Sequence, residues 1–305
     1  MKLSNQQIIE ILKQYDLGEF RNKKLIYNAW NTSYKVFTTR GIWLVKHLNF
    51  HSKKMIDREL RVLQSFDKRL PILFPVIAEN LFPVIAENGK PYITYRKKYI
   101  LVFKFMNACP VLVGELLSKE ALEDLGFYYA LIHKTKAKPI HTGDLYKKLE
   151  RFFSKIPKSS KEYILAQKTF LLFRKNGFDK AKLPSGFIHT DLHTENLLVR
   201  KGKIVSVLDF EESHKGPFIY DLGYTILDTC WTGNNLSDSR VKTFLKGYEK
   251  VRKLNALERR FIIDSAFLAG LYILHFSIRV NGIGSKKNLS HYVTKRFIKL
   301  LIKIF

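Results

Sequence analysis

The 305-residue chain is poor in cysteine, in acidic residues and in long apolar runs, and each scarcity excludes something. Its two cysteines, Cys109 and Cys230, lie far apart, with no CxxC partner and no metal-ligand spacing. That excludes a disulfide framework and a zinc ribbon, and it fits a reducing compartment. Only 27 Asp and Glu stand against 53 Lys and Arg, a formal charge of +26. Such an excess draws anionic partners, yet no basic block is interleaved with aromatics as a nucleic-acid stripe would be. The charge reads as a lysine-rich solvated surface, and nucleic acid is not expected as a partner. The longest apolar stretch, near Phe267–Phe276, is bounded or broken by Asp264, His275 and Arg279. It reads as too short to cross a bilayer, so a buried helix is expected and no transmembrane segment. The opening MKLSNQQIIEILKQYDLG is an amphipathic helix pattern and not an apolar leader. A cytoplasmic location is the expectation. The C-terminal HYVTKRFIKLLIKIF is a basic amphipathic helix, expected to pack on its own domain.

What the chain has is enough apolar material for a core, 46% hydrophobic and 13% aromatic. Leu3–Tyr15 reads as a helix with Ser4 as N-cap. Lys24–Asn28, Ser33–Thr38 and Ile42–Leu48 read as an antiparallel meander, and Tyr92–Tyr95 with Tyr99–Phe103 as a hairpin around RKK. Between them, His51–Ser65 has helical spacing, with Ile56, Leu60 and Leu63 on one face and Glu59 beside it. From Lys119 onward most segments are helical, except for short strands within Gly186–Asp209. The expected class is therefore α+β: an antiparallel sheet with a helix over 1–104 and a mainly helical second part over 105–305. LFPVIAEN at 73–80 recurs identically at 81–88. A period of eight is too short for a solenoid. It reads as a tandem duplication in a loop, where added length costs little closure entropy.

The richest segment is FIHTDLHTENLLV followed by VLDFEE. Asp191 precedes Asn196 by five residues, and Asp209 ends an apolar strand thirteen residues later. Phosphoryl transfer asks a protein to neutralise phosphates, aim an acceptor hydroxyl and exclude water. Asp191 suits the acceptor proton. Asn196 and Asp209 supply the hard oxygen donors that Mg²⁺ prefers. One tight loop could present Asp191 and Asn196 together. An Asp-x₄-Asn alone is common by chance, and a lone Asp after a strand can simply cap a turn. The set, with His189 two residues ahead, carries the reading.

This segment resembles the catalytic and metal-binding segments of the aminoglycoside phosphotransferase/choline kinase-like family, which has a two-lobed protein-kinase-like fold. The opening YDLG helix with NAWNTSYKVFTTRGIWLVKHL, and the later FLKGYEKVRKLNALERRFIIDSAFLAGLYILHFSIR with its Tyr–x₃–Arg–x–Leu–x₃–Glu pattern, resemble its homoserine kinase type II-like branch. The resemblance implies ATP and Mg²⁺ as cofactors. It implies Asp191 as catalytic base, Asn196 and Asp209 as metal ligands, His189 as a loop brace, and Asp221 of PFIYDLG as a structural holder of the loop. His193 matches a position often occupied by histidine. Lys46, mid-strand among apolar residues, resembles the kinase lysine that meets the α/β-phosphates, with Glu59 as its ion-pair partner. Where protein kinases carry a glycine-rich loop, NAWNTSY has no glycine; Thr32 and Ser33 are the candidates for phosphate contact. The backbone of Lys104–Met106 is the candidate for the adenine edge, with Phe105 and Met106 equally readable as core.

The expected reaction is transfer of the ATP γ-phosphate to a small-molecule hydroxyl, homoserine or a related amino acid or amino alcohol. Aminoglycoside or sugar kinases and an atypical Ser/Thr protein kinase are the alternatives. Only eleven residues separate Asp209 from Asp221, with no APE motif after them, which leaves little room for a peptide platform. Residues 138–182 carry twelve Lys/Arg against four Asp/Glu, which disfavours a polycationic aminoglycoside. From another class, a pseudokinase scaffold or nucleic-acid-binding protein would reuse the fold. The intact Lys46, Asp191, Asn196 and Asp209 speak against loss of catalysis.

Overall fold

The computed structural model describes residues 2–28, 31–72, 91–112, 115–141 and 143–303. Both LFPVIAEN copies, and Ala29 and Trp30 of NAWNTSY, lie outside the described residues. The chain divides into two compact units, Met1–Leu63 with Ile72–Ala108, and Gln64–Pro71 with Cys109–Phe305. The division falls after Ala108 and not at 104. Gln64–Pro71 joins the second unit for physical reasons. Phe66 sets its ring 5.6 Å from Phe187 and 4.7 Å from Phe210, and Val207 N donates to Pro71 O at 2.6 Å.

The first unit opens with α1 (Asn5–Leu12), started by a capping box in which Ser4 and Gln7 satisfy each other's backbone donors. Strands β1 (Phe20–Asn28), β2 (Asn31–Thr38) and β3 (Gly41–Leu48) form the meander; α2 (Lys53–Gln64) follows. The hairpin β4 (Tyr92–Tyr95) and β5 (Lys98–Lys104) then completes the sheet in the order β1-β2-β3-β5-β4. Its turn residues Arg96 and Lys97 both have positive φ, as a two-residue hairpin of the favoured twist requires. Side chains alternate along β3. Trp43 and Val45 enter the core with Ile8, Ile11 and Leu12 of α1. Leu44 and Leu48 face the other way, against Ile56 and Leu60 of α2. By the same period of two, Lys46 lies on the α2 face.

The second unit begins with β6 (Cys109–Pro110), followed by α3 (Lys119–His133), α4 (Leu145–Phe153) and α5 (Lys161–Asn176). Next come β7 (Ser185–Ile188), β8 (Leu197–Arg200), β9 (Lys203–Val207) and β10 (His214–Pro217), then α6 (Ile219–Thr229) and the small hairpin β11 (Trp231–Thr232) and β12 (Asn235–Leu236). It closes with α7 (Asp238–Glu249), α8 (Ala256–Arg260), α9 (Ile262–Asn281), α10 (Lys286–Ser290) and α11 (Tyr292–Ile302). β7 pairs with β10, and β6, β8 and β9 form a second small sheet. The short strands predicted within Gly186–Asp209 are β7, β8 and β9.

Helix α9 corrects one expectation. At 20 residues it is long and apolar enough to cross a membrane by length and composition, although 78% of its apolar window is buried inside the protein. The apolar run reads shorter because Asp264, His275 and Arg279 bound or break it; the buried helix expected there is α9. α11 buries Val293, Phe297, Leu300 and Leu301, with Phe297 6.2 Å from Phe267 of α9, so its apolar face is occupied by its own unit.

α3 and α7 cross closely because glycines meet there. A Cβ on Gly126 would overlap the Phe244 carbonyl, and one on Gly247 would overlap the Glu123 carbonyl. Both obstacles are backbone and cannot swing aside. Gly247→Ala is therefore expected to cost about 1–3 kcal/mol or more, read as a lower urea midpoint. An unchanged midpoint would show that the crossing tolerates a methyl group.

Candidate active site

The second unit builds the carboxylate-rich loop. β7 delivers the chain to His189, and residues 189–193 lead into a single 3₁₀ turn, Thr194–Asn196, before β8 begins. β9 then returns antiparallel to β8, with Leu197 opposite Val207, and delivers Leu208 and Asp209 beside the same turn: Leu208 N donates to Asn196 O at 2.9 Å. Asp191, Asn196 and Asp209 thus belong to one compact strand–turn–hairpin.

The loop is strained and held. Thr190 has φ +76° and Asp209 φ +66°, left-handed values that are rare for non-glycine residues and costly for a β-branched one. Asp221, in the first turn of α6, accepts from His189 N at 2.8 Å and Thr190 N at 2.9 Å. Its Oδ2 also meets His133 Nε2 at 3.0 Å. His133 Nδ1 lies 2.8 Å from the Tyr248 hydroxyl, Arg252 donates to that hydroxyl at 3.1 Å, and Arg252 pairs with buried Glu258 at 2.8 Å. Burial pushes the His133 pKa down. The neutral ring then donates from Nε2 to Asp221 and accepts at Nδ1 from Tyr248, so one donor direction runs from Arg252 to Asp221. The Gly126/Gly247 crossing is what brings His133 of α3 to Tyr248 of α7.

His189 is fully buried, and burial holds its pKa down to about 4. Its Nε2 donates to Leu208 O at 2.9 Å and its Nδ1 accepts from Asp191 N at 3.4 Å. It therefore ties the Asp191 loop to the residue before Asp209. Asn196 Nδ2 donates to Asp191 O at 2.8 Å and to His193 Nε2 at 3.2 Å. With both amide hydrogens committed, Oδ1 is the atom this side chain offers to a cation. A second brace comes from α6 and α11. Asp228 accepts from Thr194 N at 3.0 Å and from the Tyr292 hydroxyl, and Arg296 donates to the Asp228 carbonyl.

The electrostatics are one-sided. Asp191 is about a third exposed (35%). Its pKa is raised well above the usual carboxylate range, first by burial, then by the charges of Asp209, Glu212, Glu211 and Glu195. Carboxylates gathered so closely lower their mutual energy by taking a cation. Among the described residues no group of three or more His, Cys, Asp or Glu is arranged to hold a metal. One amide oxygen and one carboxylate, completed by phosphate and water, is the sparser set that Mg²⁺ accepts.

In the first unit, Lys46 is half-buried and sits opposite Ser33 on β2 and Leu101 on β5. Glu59 is half-buried on α2, one turn after Ile56 and so towards the same face of the sheet. Thr32 does not present its hydroxyl: it is 0% exposed and donates to Asn28 Oδ1 at 3.1 Å. Ser33 is only half-buried. Phe105 N donates to Ile42 O at 2.9 Å, and Lys35 lies over its ring at 4.3 Å. The Phe105 amide is thus committed to the sheet, and Lys104 and Met106 carry the backbone groups that remain. Sequence reasoning missed His133 and Asp228. It quoted Tyr248, Arg252 and Glu258 only as a pattern, without seeing that they end on Asp221.

The sequence profile described as the phosphotransferase enzyme family matches residues 28–258. The homoserine kinase of Methylobacillus glycogenes is 28% identical over 261 residues, 84% of this chain and 79% of that protein. The homoserine kinase of Neisseria meningitidis is 40% identical over 80 residues, which span 26% of each chain. Among solved structures, an amicoumacin kinase in complex with AMP-PNP, Ca²⁺ and Ami has a TM-score of 0.69 at 17% identity, covering 99% of this chain and 93% of that one. The α+β expectation thus stands as a protein-kinase-like fold. With the profile covering three quarters of its length, the chain belongs to the phosphotransferase enzyme family.

Proposed function

We propose that this chain is an ATP-dependent phosphotransferase that moves the γ-phosphate to the hydroxyl of a small molecule, homoserine first among them. The observation that carries this is the braced loop: Asp191, Asn196 and Asp209 gathered by His189 and Asp221 in one strand–turn–hairpin. Asn196 Oδ1 and the Asp209 carboxylate would hold Mg²⁺, which supplies charge neutralisation on the phosphates. Asp191 orients the acceptor hydroxyl and takes its proton. The acceptor oxygen forms its bond to the γ-phosphorus as the bond to the β–γ bridging oxygen breaks, and ADP leaves. In the first unit, Lys46 with Glu59 is assigned to phosphate charge, Ser33 to a phosphate oxygen, and the backbone of Lys104 and Met106 to the adenine edge. Homoserine is preferred because homoserine kinases are among the relatives, that of Methylobacillus glycogenes alignable over most of its length. The amicoumacin kinase complex supports a nucleotide with a divalent cation in this fold. A cytoplasmic location fits such a reaction.

The test has two readings on one purified sample. Mg²⁺ with ATP is expected to raise the thermal midpoint by the equivalent of about 2.7 kcal/mol at a hundredfold excess over Kd, and removing Mg²⁺ with a chelator should abolish most of that shift. A phosphorylation screen over homoserine, other hydroxy amino acids, amino alcohols, sugars and aminoglycosides should then give ADP with homoserine. No shift with Mg²⁺ and ATP, and no turnover anywhere in the panel, would overturn the assignment.

A further inference from the structure

Beside the Asp191 loop, a second group of side chains, none of them assigned to the nucleotide above, gathers on Glu212. Tyr272 of α9 donates to Glu212 Oε2 at 3.4 Å, and His214 Nδ1 donates to the Glu212 carbonyl at 2.7 Å. His141 stacks on His214 at 4.9 Å and 26°, with its Nε2 4.0 Å from Glu212 Oε2. One turn along α9, His275 lies 6.0 Å from the Tyr272 ring and takes the Phe152 ring of α4 edge-on at 4.4 Å. Two cations sit one turn from these rings: Lys148, four residues before Phe152 on α4, and Arg279, four after His275 on α9. Both are exposed, and neither forms an ion pair among the described residues.

Three buried polar atoms around the Tyr272–Glu212 bond have no hydrogen-bond partner among the described residues: His141 Nε2, His275 Nδ1 and the Tyr220 hydroxyl. His275 is 5% exposed, and Tyr220, 6.1 Å from Tyr272, is 0% exposed. Buried polar atoms left unmatched are costly, and a cluster of them beside a reactive carboxylate marks a place where a polar guest is received. Charges of both signs surround it. Glu212 and Asp191 act on Tyr272, with Glu211 beside Asp191; Lys148 acts on His214 and His275, and Arg279 on Tyr272 and His275. Tyr272 is held protonated first by burial and then by Glu212 and Asp191. His275 is held down to about 4 by burial, then by Lys148 and Arg279.

We propose that this is the acceptor subsite and that it reads a zwitterion: Glu212 takes the α-ammonium of a hydroxy-α-amino acid and Lys148 with Arg279 takes its carboxylate, leaving the side-chain hydroxyl for Asp191. The assignment rests on the kinase reading above. It makes Glu212, Lys148 and Arg279 specificity-determining residues, and it explains why the basic excess of residues 138–182 does not repel the acceptor: part of it is the carboxylate end of the site.

The experiment compares three acceptors with one hydroxyl each: L-homoserine, 3-aminopropan-1-ol without the carboxylate, and 4-hydroxybutanoate without the ammonium. Lys148→Met and Arg279→Met lie on the surface and should keep the wild-type melting temperature. Each should raise KM for homoserine by roughly tenfold or more, as expected for a lost ion-pair partner, with kcat nearly kept and the KM for 3-aminopropan-1-ol moved less than about twofold. Glu212→Gln should do the reverse, raising KM for both amines and sparing 4-hydroxybutanoate. Equal effects of Arg279→Met on acceptors with and without a carboxylate would overturn the proposal. So would a wild-type enzyme that phosphorylates a sugar or aminoglycoside but no amino acid, an outcome that leaves the kinase reading standing. The kinase reading itself fails separately, by absence of any Mg²⁺-dependent stabilisation by ATP.

Discussion

Replacing Asp191 by asparagine is expected to lower kcat by about 10³- to 10⁴-fold, the upper range for a general base, while raising the thermal stability of the ligand-free protein by a few degrees. The two effects share one cause. The Asp191 carboxylate is forced among Asp209, Glu212, Glu211 and Glu195, and burial adds to the cost of its charge. Asparagine keeps the shape and removes the charge, so repulsion falls and the fold gains. On the proposed mechanism the same change leaves the acceptor hydroxyl with no group to receive its proton. Affinity for Mg²⁺ and ATP should persist, because Asn196 and Asp209 remain. The stability gain should shrink when Mg²⁺ is present, since a bound cation already screens the cluster. This is a stability–activity trade-off of the usual kind. Turnover within twofold of wild type, or a variant that melts earlier than wild type without Mg²⁺, would show that Asp191 is neither the base nor a strained charge.

Much of the site was legible because its chemistry is local. Asp191, Asn196 and Asp209 lie within nineteen consecutive residues on a strand, a turn and a hairpin, so their spacing alone carries their proximity. The antiparallel sheet was legible for the same reason: its strands are short runs adjacent in sequence, Ser33–Thr38 and Ile42–Leu48 among them, and such neighbours pair across a tight turn. What spacing cannot carry is a partner a hundred residues away. His133 sits at the end of an apolar helix and looks like a core histidine until Asp221 and Tyr248 are seen on its two nitrogens, 88 and 115 residues further along the chain. Phe105 reads equally as core or as part of the adenine edge until its amide is found on Ile42 O. Residues 65–71 follow α2 directly in sequence, yet Phe66 packs with Phe187 and Phe210 in the second unit, a choice made by aromatic contact and not by chain order. Helix α9 reads shorter than it is because Asp264, His275 and Arg279 bound or break its apolar run, while the structure buries Asp264 against Asn176 at 2.8 Å and Tyr272 against Glu212.

The second large effect is expected at Asp221, which touches no reacting atom. Its carboxylate is 1% exposed and receives two backbone N–H groups and His133. Asp221→Ala leaves those donors buried without acceptors, at about 1–3 kcal/mol for each, so a loss of about 4 kcal/mol in urea unfolding is the expectation. It also frees Thr190 from the bond that helps hold φ at +76°, and the loop can relax away from its catalytic shape. Turnover should therefore fall at least about a hundredfold in the protein that still folds, because small misplacements of a positioned group are costly. KM for ATP should change little. Asp221→Asn keeps one acceptor oxygen but turns an amide donor towards a backbone N–H or the His133 Nε2 proton, so it should recover part of the stability and little of kcat. A variant whose activity loss merely tracks its unfolded fraction would make Asp221 a stability residue alone. A split between folded fraction and kcat would make it the group that holds Asp191 in register.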